Sequence, residues 1–376
     1  MPRLDSLQSQ SSLGFGGRCA KLDVGWLLGL VVLLTLLASS LILAQPVARS
    51  PHAPGGLPVV LQREGTRIVI SIGGRPFTTY YFDPAVAKPY FMPLRSAQGT
   101  VITRGFPIGN TIPPAHQHDH DLEPHQRPMY FGYGDINGID FWGEAVFPKW
   151  SDDRVFGRTV KVKIERMQSG PRSGALRALF NLVTPSGRVM GQEIQSYRFQ
   201  GGANWRIIDC TFTLLANRYA PLTLGDTKEG MFALRLAPEL NSPPGHIINS
   251  KGAVGEKQVW GQRADWVDYY GRVGQEEVGV AIFDSPRNLR HPTYWHARGY
   301  GLFAANPLGI REFTRDPARD GSWTIRQGRS LTFRYRVLIH HGDVRQGGVA
   351  QAYEIYRQEQ LSAMRPSSAA GSRKGE

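Results

Sequence analysis

Over much of the chain, apolar residues fall on every second position. Ile68, Ile70 and Ile72 alternate with polar or smaller neighbours, and Gly73 and Gly74 follow as a tight turn. Segments 159–164, 175–183, 187–199 and 205–215 repeat the pattern, separated by stretches rich in Gly, Pro, Ser and Asn. Near the end, Leu331, Phe333, Tyr335, Val337 and Ile339 alternate with Thr332, Arg334, Arg336 and Leu338, which predicts a strand with one buried face. Only 347–364 changes period: Val349, Ala352, Tyr353 and Tyr356 share a helical stripe. No strand–helix alternation and no glycine-rich phosphate loop appears. The expected fold is mainly β, a large antiparallel sandwich with a C-terminal helix.

The ends of the chain differ from this body. Residues 24–44 carry no charge over a length that suffices to span a bilayer, and Arg3, Arg18 and Lys21 precede them. They read as a signal peptide or an uncleaved signal anchor, and so as export to the periplasm or beyond, with the inner membrane as partner if the segment stays. Residues 45–58 read as a flexible spacer, 59–364 as a single β-sandwich domain and 365–376 as a disordered tail.

Charge and cysteine content narrow the classes further. The net charge is +13, and little of it lies in the leader. The arginines are scattered through strand-like segments and accompany no nucleic-acid motif, so a basic surface is expected rather than nucleic-acid binding. Cys19 precedes the apolar segment, leaving Cys210 without an internal disulfide partner in an exported form. Its neighbours Ile208, Phe212 and Leu214 mark it as a buried apolar residue.

Four segments carry candidate chemistry. The first, 113–144, holds His116, His118, His120 and His125. In an extended chain His116, His118 and His120 share one face, and with nearby carboxylates they suit a divalent metal ion. The alternative is a solvated His-rich loop. Farther along, Asp135, Asn137, Asp140 and Trp142 sit among glycines, either to present side chains to a ligand or to build turns. The second, 225–236, places Lys228, Glu229 and Arg235 at the edge of an apolar strand, where charge is costly unless paired. The third, 260–271, contains Arg263, Trp266, Asp268 and Tyr269. The fourth, 290–300, contains His291, Trp295, His296 and Arg298. Aromatic rings beside carboxylates and imidazoles suit a sugar, which offers an apolar face and hydroxyls together. The competing reading puts Trp260, Trp266 and Trp295 in the core.

These motifs, among them HQRPMYFGYGDINGIDFWGE, GDTKEGMFALRLAPEL, WGQRADWVDYYG and HPTYWHARGYGLFAANPLG, resemble a bacterial family labelled methane oxygenase PmoA-like, over roughly residues 60–360. A membrane oxygenase subunit would need several spanning helices, and this chain has one apolar segment of that length. The resemblance implies a sandwich similar to the galactose-mutarotase-like supersandwich, in a family that often accompanies carbohydrate-degradation genes. It also implies a histidine-rich run before the GDINGIDFW motif. Here His125 and Arg127 match that run, whereas Glu123 and Gln126 stand for histidines and Pro128 for glycine.

Two functions are therefore expected from the residues and the resemblance together. One is acid/base chemistry on a sugar or glycoside, as a hydrolase, lyase or epimerase. His125 or His296 would be the acid and Glu229 or Asp268 the base; for hydrolysis Glu229 would pair with Asp268, Asp140 or Glu144. The other is non-catalytic glycan binding at the cell envelope. A metal-dependent oxygenase is a distant third.

Overall fold

The computed structural model describes residues 56–105, 123, 125–144 and 154–364. The apolar segment 24–44, the spacer before Gly56, the histidines His116, His118 and His120, and the tail 365–376 lie outside the described residues.

The first part of the described chain forms β1 (Val59–Glu64), β2 (Arg67–Ile72), β3 (Arg75–Tyr81), β4 (Tyr90–Phe91), β5 (Met129–Tyr133), β6 (Arg158–Gln168), β7 (Gly174–Val183), β8 (Val189–Gly201) and β9 (Trp205–Ala216). The second part forms β10 (Leu222–Leu224), β11 (Gly230–Arg235), β12 (His246–Asn249), β13 (Trp266–Val273), β14 (Glu276–Asp284), β15 (Tyr294–Ala297), β16 (Leu302–Asn306), β17 (Trp323–Ile325) and β18 (Ser330–His341). Among the described residues three α-helices accompany them: α1 (Glu256–Val259), α2 (Ile310–Thr314) and α3 (Val349–Ser362). The strands assemble into two eight-stranded sheets. The first has the order β1-β2-β3-β4-β5-β11-β16-β15, the second β12-β13-β14-β18-β9-β8-β7-β6, and β10 pairs with β17 apart from both. All of these pairings are antiparallel. The fold is thus the mainly β antiparallel sandwich with a C-terminal helix that the alternation predicts.

Local chemistry explains the elements. Between β2 and β3, Gly73 and Gly74 have φ of 61° and 76°, the two positive values that a tight hairpin turn requires and that glycine adopts without strain. In β18, Phe333, Tyr335, Val337 and Ile339 all point into the core. The sheets meet face to face there: Phe131 stacks on Phe212 with centroids 4.2 Å apart, and Phe232 on Tyr335 at 5.1 Å. Cys210 lies in this core, as its alternation implies.

The outer faces are covered differently. On the second sheet, Trp205, Ile207, Trp266, Ala281, Phe283 and Leu338 meet Val349, Ala352, Tyr353 and Tyr356 of α3. Arg336 ties helix to sheet, with Nε 2.6 Å from Asp209 and Nη2 2.8 Å from Glu359. On the first sheet the outer face is only partly apolar, with Tyr130, Trp142, Ala233, Leu302 and Ala304 clustered beneath connecting segments.

The inter-sheet core also encloses a carboxyl group. Glu193 of β8 is buried beside Gln195, which donates an amide N–H to it. Gln195 Oε1 in turn accepts from Tyr80 at 2.6 Å and Tyr197 at 2.7 Å. Burial pushes the Glu193 carboxyl up to about 8, so at neutral pH it is protonated. Among the described residues no helix is long and apolar enough to cross a membrane.

Candidate functional site

Strand alternation also decides which side chains leave the core of the first sheet. On β15, Trp295 and Ala297 point inward, so His296 between them points outward. On β11, Phe232 and Leu234 point inward and Ala233 and Arg235 outward. Lys228 and Glu229 sit just before β11. Their turn is held by Asn306, which donates to the Thr227 carbonyl at 2.9 Å, and by Gly134, which donates to the Glu229 carbonyl at 2.7 Å.

Above these strands lies a polar cavity of about 350 Å³. Glu229, Lys228, His296 and Arg298 line one part of it, and Glu123, His125, Gln126, Arg154 and Tyr300 the rest. The structure thus brings together His125, Lys228, Glu229, His296 and Arg298 from three of the segments singled out by sequence. A larger cavity, about 660 Å³, lies on the outer face of the second sheet beside α3. Among the described residues its lining includes Glu359 as the one carboxylate and no histidine, unlike the smaller one.

The protonation states in the smaller cavity follow from burial. His296 Nδ1 lies 3.2 Å from the Lys228 carbonyl, which can only accept, so the ring proton sits on Nδ1 and Nε2 keeps its lone pair. Burial, with Arg298 and Lys228 nearby, lowers the ring to about 3, and Trp260 and Phe313 pack edge-on against it. His125 is likewise held neutral by burial and by Lys88, Arg104, Arg154 and Arg127 around it. Glu229 is raised above the ordinary glutamate value, first by burial and then by Glu123 and Glu312, against the opposing pull of Lys228. Lys228 Nζ sits 3.5 Å from Glu229 and 2.6 Å from Glu312, whose other oxygen accepts the Lys228 backbone N–H at 3.0 Å.

A second layer supports this lining. Arg127 forks onto Glu144 at 3.0 and 2.6 Å, and Lys88 reaches the same carboxylate at 3.0 Å. Arg235 donates to Gln126 at 2.7 Å and lies 4.4 Å over the Tyr300 ring. Asp140 accepts the backbone N–H groups of Trp142 and Gly143 at 2.7 Å and sits 3.6 Å from Arg154.

The remaining sequence candidates lie elsewhere. Asp268 faces the other side of the molecule on β13, fully buried, with His340 Nε2 at 3.2 Å; it does not meet Glu229. Trp266 packs under α3, and Trp142 and Trp295 are enclosed, so among the described residues no tryptophan lines the cavity. Tyr269 lies in the core and donates its hydroxyl to the Arg298 carbonyl at 3.1 Å. Asp135 and Asn137 build turns: Asp135 accepts the Gly138 N–H, and Asn137 bridges Pro221 and Thr223. Arg263 donates to the Pro292 and Arg290 carbonyls. His291 is clamped between Asp284 at 2.8 Å and Asp265 at 3.3 Å, which raise it to about 9 against the opposing effect of burial. Arg154, Tyr300 and Glu312 belong to the site without having been singled out. Tyr300 closes the fourth segment and had a signal in its neighbours; Arg154 and Glu312 had none. Among the described residues no cluster of three or more His, Cys, Asp or Glu is arranged to hold a metal ion.

Residues 67–354 match the model of a family described as a family of unknown function, DUF6807. No curated protein matches the chain. Among solved structures it is similar to an alpha-galactosidase from Lactobacillus brevis, at 10% identity and a TM-score of 0.38, over 77% of this chain and 40% of that one. It is similar to a galactose mutarotase-like protein from Clostridium acetobutylicum, at 11% identity and a TM-score of 0.38, over 76% of this chain and 99% of that one. A second alpha-galactosidase, from Geobacillus stearothermophilus, is similar at 9% identity and a TM-score of 0.38, over 77% of this chain and 42% of that one. The chain therefore spans less than half the length of either alpha-galactosidase. These likenesses are remote and carry nothing about chemistry.

Proposed function

We propose that this chain, which belongs to the family of unknown function DUF6807, binds a carbohydrate in the polar cavity on its first sheet and moves a proton on it. The observation that supports this reading is the convergence of Glu229, His296, His125 and Lys228 on one cavity large enough for a monosaccharide unit.

The roles follow from the protonation states. His125 and His296 are neutral near pH 7, so neither serves as the imidazolium acid that the sequence suggests. The exchangeable proton belongs to Glu229, whose carboxyl is shifted toward neutrality, where an acid/base group works best. His296 presents Nε2 as an acceptor that orients a sugar hydroxyl. Lys228, held by Glu312, steadies the ionised form of Glu229.

The test is turnover of freshly dissolved α-D-glucose and α-D-galactose, followed by polarimetry, and of chromogenic glycosides, followed by absorbance. Glu229→Gln is expected to lower turnover at least ~100-fold while leaving affinity within a few-fold. Full activity in that variant would remove Glu229 from the chemistry. Saturable sugar binding without turnover of any of these compounds would favour the glycan-binding alternative.

A further inference from the structure

The cavity recognises its ligand with charge more than with aromatic surface. Among the described residues its lining contains one ring other than imidazole, Tyr300, which is flanked by the guanidinium groups of Arg235 at 4.4 Å and Arg298 at 5.5 Å. Among the described residues, Arg154, Lys228 and Arg298 share the lining with the carboxyl groups of Glu123 and Glu229.

The cations are engaged to different degrees. Lys228 is held by Glu312 and Glu229, and Arg154 lies beside Asp140. Arg298 differs. Its Nε lies 3.2 Å from Glu256 Oε1 but makes no hydrogen bond there, and Glu256 Oε2 is occupied by the Gly299 N–H at 2.6 Å. Among the described residues, no side-chain N–H of Arg298 donates a hydrogen bond, although its backbone is fixed by Leu302 and Gly301. A guanidinium anchored through its main chain, ion-paired with Glu256 but donating no side-chain hydrogen bond among the described residues, and belonging to the cavity lining, is suited to a planar carboxylate, which accepts two parallel N–H bonds.

We propose that the ligand is an anionic sugar, a uronic acid or a glycoside of one, and that Arg298 receives its carboxylate. This rests on the reading of the cavity as a sugar site. A dianionic phosphate fits less well, because Glu123 and Glu229 lie in the same lining.

The experiment is isothermal titration of the full chain with D-glucuronate, D-galacturonate, D-glucose, D-galactose and glucose 6-phosphate. The uronates are expected to bind at least ~10-fold more tightly than the neutral hexoses, as a new charge-assisted bidentate contact provides. Arg298→Lys keeps the charge but not the fork, and is expected to bring the preference within about 3-fold while neutral-hexose binding persists. That persistence shows the variant to be folded. Equal binding of neutral and acidic sugars, tighter binding of the phosphate, or a preference unchanged in Arg298→Lys and Arg298→Gln would each overturn the proposal and leave the sugar site standing. Binding of none of the five would overturn the sugar reading and this inference together.

Discussion

Replacing Glu193 by glutamine is expected to stabilise the protein, by an amount that grows with pH. Glu193 lies between the two sheets with its carboxyl raised from the ordinary 4.5 to about 8 by burial. Because the folded pKa lies above the unfolded one, the folded state binds the extra proton between those values. Stability therefore falls as pH rises through that window and reaches its full loss above the folded pKa. One pKa unit corresponds to about 1.4 kcal/mol, so the penalty is about 3 kcal/mol at pH 7 and about 5 kcal/mol above pH 8. Glutamine is nearly the same shape, stays neutral, and can accept the Gln195 amide N–H through its own carbonyl. Urea unfolding of both proteins from pH 5 to 9 measures the difference, in which every other titrating group cancels. At pH 5 the two should agree within about 1 kcal/mol. A pH-independent difference, or a variant less stable than the parent at pH 8, would show that the carboxyl is not held protonated in the core.

Two further outcomes concern the other side of the sandwich. His340→Ala leaves the Asp268 carboxylate buried without its partner and is expected to cost about 3–5 kcal/mol in urea unfolding. Asp268 raises His340 against the effect of burial, so the pair's contribution is full at low pH and is lost as pH rises through the folded histidine pKa; the difference between His340→Ala and the parent should shrink accordingly. Arg336→Met removes the link from Asp209 of β9 to Glu359 of α3 and should expose the α3 amides to faster hydrogen exchange, at a cost of about 1–3 kcal/mol. Unchanged exchange in α3 would mean that its apolar stripe alone holds it.

The strands most legible in the sequence are those with one face in the core. Segments 159–164, 175–183 and 205–215 fall within β6, β7 and β9, and the stripe of Val349, Ala352, Tyr353 and Tyr356 is the buried face of α3. Strands β11 and β16 are enclosed on both faces, so their residues show no alternation, and β15 is a four-residue piece. Those three carry the site. Lys228 and Glu229 could be picked out because charge is costly beside such an apolar run, and His296 because it stands among aromatic residues. Asp268 stands out by the same aromatic setting, yet its carboxylate is paired with His340, far along the chain on β18. Residue type alone cannot tell a carboxylate facing a cavity from one paired in the interior. Trp142, Trp266 and Trp295 behave as their apolar area dictates, entering the interior instead of offering a stacking surface, whereas Trp260 stays half-buried and Trp323 exposed.

The hydrogen bond that selects the His296 tautomer runs to the main chain of residue 228 and not to a side chain. A carbonyl oxygen is present there whatever amino acid the gene encodes. The lysine side chain at that position can therefore drift, retuning which molecules enter and how Glu229 titrates, without disturbing the imidazole's orientation. One residue thus holds a contact fixed in the main chain and a charge that substitution can change.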